Sequence, residues 1–260
     1  MLYGAIIGDI AGSIYEFNNT YTKPKELLPE EAFFTDDTVM TIAIAQALQN
    51  GYDYSLAMRT WGAMFPNRGY GGNFAVWLQN PEMGAYNSFG NGSAMRTSAV
   101  AWVAKNIHEV LELSKQVAKV THNHPEGIKG AQATACAIYL AKMGHPKRGI
   151  KRCIEETFGY DLSRTCDEIR PTYHFNETCQ KTVPEAITAF LESTDFEDSI
   201  KLAISLGGDS DTLAAITGSI AEAYYGVPYC LIMKARGILP RIMLKAIDEF
   251  EDAYRYGGKQ

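Results

Sequence analysis

Apolar residues in this chain recur at helical spacing, and almost nowhere do β-branched residues alternate with polar ones over a strand's length. That pattern leaves one architecture, an all-α fold. Helices are expected over residues 2–16, 37–49, 54–65, 109–120, 184–192, 195–206, 211–225, 228–235 and 239–255, and in the runs AMRTSAVAWVA and EGIKGAQATACAIYLAKM. Residues 18–34, with two prolines, read as a loop, and residues 145–181 as the most polar and least periodic segment. Thr182-Val183-Pro184-Glu185 fits a capping box with proline in the first turn. With 260 residues, 46% of them hydrophobic, and no internal repeat or low-complexity linker, one compact domain spanning 1–260 is expected.

Two of the expected helices open on carboxylates. Thr35-Asp36-Asp37-Thr38 precedes VMTIAIAQALQ, and Gly207-Gly208-Asp209-Ser210-Asp211-Thr212 precedes LAAITGSIAEAYYG. Such residues are favoured N-caps, because their oxygens accept orphan N–H groups and the helix dipole welcomes negative charge. The same oxygens are hard ligands for a divalent cation. Adjacent carboxylates about 4 Å apart repel by roughly 4 kcal/mol at an effective dielectric of about 20, so doubling them is costly unless a cation lies between them. Local sequence leaves both readings open.

Gly4, Gly8 and Gly12 recur every four residues and mark a helix face for close packing; Glu16 continues the row, and a carboxylate there needs a partner or a role. Ser88-Phe89-Gly90-Asn91-Gly92-Ser93 is a glycine-rich turn entering a helix, suited to phosphate, though a turn capped by Ser93 explains it as well. His122 and His124 have a spacing zinc accepts, but no Cys or His nearby completes a site, and Cys166, His174 and Cys179 are spaced irregularly. Tyr173 and Phe175 are candidates for a pocket wall.

A net charge of −6 argues against a general nucleic-acid or anionic-membrane binder. Five cysteines at wide spacing, without a C-x-x-C, fit a reducing cytoplasm. The N-terminal apolar run lacks a basic flank and is interrupted by Asp9, so the chain reads as soluble and unexported.

In order, GDIAGSIYEF, FTDDT, FGNGSAMR, THNHP and GGDSDT form a set that resembles the ADP-ribosylglycohydrolase family from about residue 4 to about residue 226. The resemblance implies an all-helical fold with a binuclear magnesium site that cleaves the N- or O-glycosidic bond between ADP-ribose and a modified group. It implies Thr35, Asp36, Asp37, Asp209, Asp211 and Thr212 as metal ligands, and Glu16 as the catalytic glutamate, either activating water or assisting the leaving group. Ser88, Phe89, Gly90, Asn91, Gly92 and Ser93 match the loop holding the phosphates and distal ribose, and His122 matches a histidine touching ADP-ribose. Gly92-Ser93 stands where some members have two glycines, which bears on the fine shape of that loop. An all-oxygen ligand set suits two Mg2+ ions, with Mn2+ as a substitute, and not zinc. The expected substrate is an ADP-ribosylated protein or conjugate, with an arginine linkage preferred. A non-catalytic ADP-ribose-binding module and a metal-dependent phosphoesterase are the alternatives.

Overall fold

A computed structural model describes residues 1–255, and its described residues are helical with no sheet. In chain order the helices are α1 (Tyr3–Gly12), α2 (Asp36–Asn50), α3 (Tyr54–Met64), α4 (Gly72–Gln79), α5 (Gly92–Met95), α6 (Ser98–Val103), α7 (Ile107–Lys119) and α8 (Pro125–Lys142). There follow α9 (Lys147–Phe158), α10 (Cys166–Ile169), α11 (Cys179–Glu192), α12 (Phe196–Ile204), α13 (Ser210–Tyr225), α14 (Tyr229–Ile238) and α15 (Arg241–Arg255). An isolated antiparallel bridge pairs Gly90 with Thr178. No described helix is long and apolar enough to cross a membrane.

Helix α13 forms the axis of the fold. It is buried from Ser210 through Ala221, and α1, α8, α11 and α12 pack around it. Every residue of α1 is buried as well, and the glycine row explains how closely the two helices approach. A Cβ on Gly4 would stand 2.2 Å from the Gly218 carbonyl oxygen, one on Gly8 2.1 Å from that of Ala214, and one on Gly12 2.3 Å from the Asp211 Cα. Backbone therefore meets backbone along the whole crossing, and the end of α1 is brought to the start of α13.

The row stops at Gly12 instead of running on to residue 16. The Ser13 hydroxyl donates to the Ile10 carbonyl at 2.9 Å, and Tyr15 N–H closes a tight turn on Gly12 O at 2.8 Å. Glu16 thus sits in a turn and not on the helix face. Asn19 holds that turn, its side-chain amide donating to the carbonyls of Tyr15 (2.7 Å), Glu16 (3.0 Å) and Gly208 (2.8 Å) while its oxygen accepts from Gly208 N–H (2.9 Å).

Four other expectations are corrected. Residues 145–181 are not irregular throughout: α9 is an amphipathic helix with Ile150 and Ile154, four residues apart, as its buried stripe. The helix expected from Pro184 begins at Cys179 and carries Pro184 inside it. Thr182 and Glu185 make no capping box, because the Thr182 hydroxyl is taken by Asn91 and the Asn176 carbonyl, and Glu185 pairs with Arg164. A capping box forms instead between Thr165 and Glu168. The run AMRTSAVAWVA breaks into α5 and α6 at Arg96 and Thr97, which turns the Arg96 side chain inward.

Candidate active site

Asp9, in the middle of α1, fixes the first acidic segment. Fully buried, it accepts from Thr35 N–H at 2.9 Å, from the Thr35 hydroxyl at 2.6 Å and from Thr38 N–H at 3.1 Å. It therefore satisfies donors at the start of α2, where the helix itself offers no acceptor. Thr35 is the N-cap, accepting from Asp37 N–H, and Asp36 and Asp37 occupy the first turn. The second segment is aimed by Gly207 and Gly208, whose φ angles of 75° and 72° are left-handed. At Gly208 a Cβ would also run into Tyr173.

These constraints bring the two segments together. Carboxylate oxygens of Glu16, Asp209 and Asp211 lie within 4.8 Å of one another, and the Thr212 hydroxyl donates to Asp37 Oδ2 at 3.2 Å. Glu16, Asp36, Asp37, Asp209, Asp211 and Thr212 all line one cleft. Thr35 does not line it; its hydroxyl proton is committed to Asp9.

Burial first, and the neighbouring carboxylates after it, push Asp36, Asp37 and Asp211 well above the usual carboxylate range and Glu16 up to about 8. Burial likewise moves Asp209 up to about 6, although hydrogen bonds from Asp211 and Asn91 work against it. Asp37 Oδ1 is buried without a hydrogen-bond partner. Concentrated, desolvated negative charge with an unsatisfied oxygen is the environment a hard divalent cation relieves, and the all-oxygen donor set fits magnesium or manganese.

The cleft as a whole, its mouth included, offers about 800 Å³ of space, and its other end is formed by the glycine loop. Here Asn91 N–H donates to Glu177 O at 2.7 Å and Cys179 N–H to Phe89 O at 3.0 Å, strapping the glycine loop to the segment before α11. Ser88, Gly90, Asn91, Gly92 and His122 line the cleft. Phe89 and Ser93 do not: Phe89 packs on the His124 ring at 5.2 Å, and the buried Ser93 hydroxyl donates to Gly127 O at 2.7 Å. Helix α5 is a single turn, so the loop's own polar groups face the cleft in place of a helix dipole.

Tyr86, Arg96, Glu177, Gly69, Gly71, Gly72 and Asn73 also line the cleft and were not among the site residues expected from sequence. The Met-Arg after the glycine loop was a signal for Arg96; Glu177 had none. His122 and His124 do not converge: His124 N-caps α8. All five cysteines are free, and among the described residues no cysteine or histidine joins the metal-capable cluster. Tyr173 is buried beneath Gly208, and Phe175 stacks on Phe17 at 6.0 Å.

The ADP-ribosylglycohydrolase family profile matches residues 1–252. ADP-ribosylhydrolase ARH3 of Homo sapiens is 26% identical over 87% of this chain and 84% of its own length, and that of Mus musculus 26% identical over 87% and 83%. ADP-ribosylarginine hydrolase Tri1 of Pseudomonas putida (strain GB-1) is 28% identical over 87% of this chain and 70% of its own. A solved ADP-ribosylglycohydrolase-related protein complex superposes with a TM-score of 0.68 at 26% identity, covering 96% of this chain and 92% of that one. With its all-helical fold and a match that runs nearly end to end, the chain belongs to the ADP-ribosylglycohydrolase family and is an enzyme of that kind.

Proposed function

We propose that the protein is a hydrolase dependent on two magnesium ions, for which manganese substitutes, and that it releases ADP-ribose from arginine side chains. The observation that carries this is the convergence of Glu16, Asp36, Asp37, Asp209, Asp211 and Thr212 on one end of a cleft whose other end offers a glycine loop and His122. Asp36, Asp37, Asp209, Asp211 and Thr212 are the residues that would hold the ions, with Thr35 shaping the start of α2. Bound there, the ions supply electrostatic stabilisation and fix the ribose.

Glu16, partly buried beside Asp209 and Asp211, lines the cleft, where it can take a proton from water or give one to a departing group. The glycine loop and His122 hold the diphosphate and distal ribose. Phe17, next to Glu16 in the chain, is exposed and its ring stacks on that of exposed Phe175, while the exposed Glu177 lines the cleft. Aromatic faces and carboxylates are the groups that receive a guanidinium, which supports the arginine linkage.

Arginine-linked and serine-linked ADP-ribosyl peptides, incubated with and without EDTA and analysed by mass spectrometry, test the reading. Release of intact ADP-ribose, faster from arginine and abolished by EDTA, is expected. AMP or ribose phosphate as product would indicate attack at phosphorus, and binding without release would indicate a reader.

A further inference from the structure

We infer that Arg96 and Thr121 are positioning residues that act through one hydrogen-bond relay, holding His122 with its ring proton on Nε2 and presenting that N–H to an oxygen of the ligand at Gly90 and Gly92. The identity of the ligand as ADP-ribose rests on the proposed function; the state of the ring does not.

Arg96 lies at the break between α5 and α6 and is 1% exposed. Its Nη2 donates to the Val117 carbonyl at 3.1 Å and to Thr121 Oγ1 at 2.8 Å. A guanidinium has no acceptor, so the Thr121 oxygen must accept this bond. Thr121 is fully buried, and His122 Nδ1, at 2.7 Å, is the acceptor within reach of its single hydroxyl proton among the described residues. Were Nδ1 protonated, it too would donate to the Thr121 oxygen, and the hydroxyl proton would be stranded in a buried site. Counting donors and acceptors therefore leaves Nδ1 bare and puts the proton on Nε2.

The relay has a direction, running from Arg96 through Thr121 to His122, and its far end opens on the cleft. Nε2 has no protein partner among the described residues. A Cβ on Gly90 would stand 3.3 Å from it and one on Gly92 3.4 Å, so both glycines leave room for a ligand atom in front of the donor. Burial, with the Arg96 charge behind it, also holds the ring in its neutral form. A neutral ring with a fixed donor suits an oxygen that only accepts, such as one on a phosphate. The buried Arg96 cation, which also borders the cleft, favours an anion there.

Long-range 1H–15N spectra of His-labelled protein, without ligand and with divalent ions removed, read the ring directly, with His122→Asn assigning the signal. A protonated Nε2 and a bare Nδ1 are expected; a protonated Nδ1 overturns the inference. Thr121→Val keeps the shape and removes the hydroxyl, so it should give both ring forms and weaken ADP-ribose binding, read by calorimetry, about tenfold. Thr121→Ser should restore both properties. A Thr121→Val protein that keeps the Nε2–H form and wild-type affinity would break the relay. Should the wild-type ring be as stated while the protein binds no ADP-ribose, the functional reading falls and the relay stands.

Discussion

Asn91 donates its side-chain amide to Asp209 Oδ2 at 2.7 Å, across 118 residues of sequence. It also donates to the Thr182 hydroxyl at 3.0 Å. The bond makes the glycine loop and the start of α13 one unit, so the two ends of the cleft are not independent. Asn91→Ala should weaken magnesium binding and ADP-ribose binding together, each by about 1.5–3 kcal/mol, the range for a hydrogen bond to a charged group. Calorimetry of the two ligands separately checks this, and a loss confined to ADP-ribose would show that the loop and the acidic segment act apart.

Glu16→Gln keeps the size of the side chain and removes its ability to exchange a proton. Turnover should fall about 10²–10⁴-fold while ADP-ribose affinity stays within a few-fold of wild type. Single-turnover release of ADP-ribose, set beside equilibrium binding, reads the two quantities; unchanged turnover would take Glu16 out of the chemistry.

Gly8→Ala should improve α1 as an isolated helix by about 1 kcal/mol. Packing works in the opposite sense and wins, because the new methyl would lie 2.1 Å from the Ala214 carbonyl oxygen. A net loss of about 3 kcal/mol in urea unfolding is expected, with magnesium affinity falling as the start of α13 is pushed away from Glu16. An increase in stability would mean that α1 and α13 are further apart than they stand here.

Removing divalent ions should destabilise the fold, and magnesium at about a hundred times its dissociation constant should restore about 2.7 kcal/mol. Asp211→Asn removes one buried charge whose ionisation burial already opposes. It should therefore raise the stability of the ion-free protein at pH 7.5 and abolish the gain from magnesium. Thermal melts of both proteins with and without the ion distinguish the two effects by sign.

Burial first, and Arg96 second, hold His122 well below its ordinary value of 6.5. The folded state then binds fewer protons than the unfolded state near and below that value, so this residue's contribution is present above pH 6.5 and is lost as the pH falls beneath it. Denaturation midpoints from pH 8 to pH 5 should drop for the wild type relative to His122→Gln. Parallel curves would show that the ring titrates normally.

The five motifs, the glycine row and the acidic helix starts were legible because each depends on residue type at short range. Asp9 was not: within an apolar helix it reads only as an interruption, and its role depends on Thr35 and Thr38 arriving from elsewhere. Glu16 was legible as a residue but misplaced on a helix face, because the turn that carries it is made by Ser13 and Asn19. The start of α11 was set too late since Pro184 looked like a first-turn proline, whereas tertiary contacts of Thr182 and Glu185 let the helix begin earlier. Glu177 reaches the cleft through the strap to Asn91, which no local pattern announces.

The backbone contact between α1 and α13 orders events during synthesis. Asp37 leaves the ribosome 172 residues before Asp209 (209 − 37), roughly ten to thirty seconds at about 5–20 residues per second. Throughout that interval the glycine row has nothing to rest against, and the early aspartates have no companions with which to share a cation. The nascent enzyme thus carries one of its two acidic segments alone until α13 emerges, and α14 and α15, which close the core over α1 and α2, come later still.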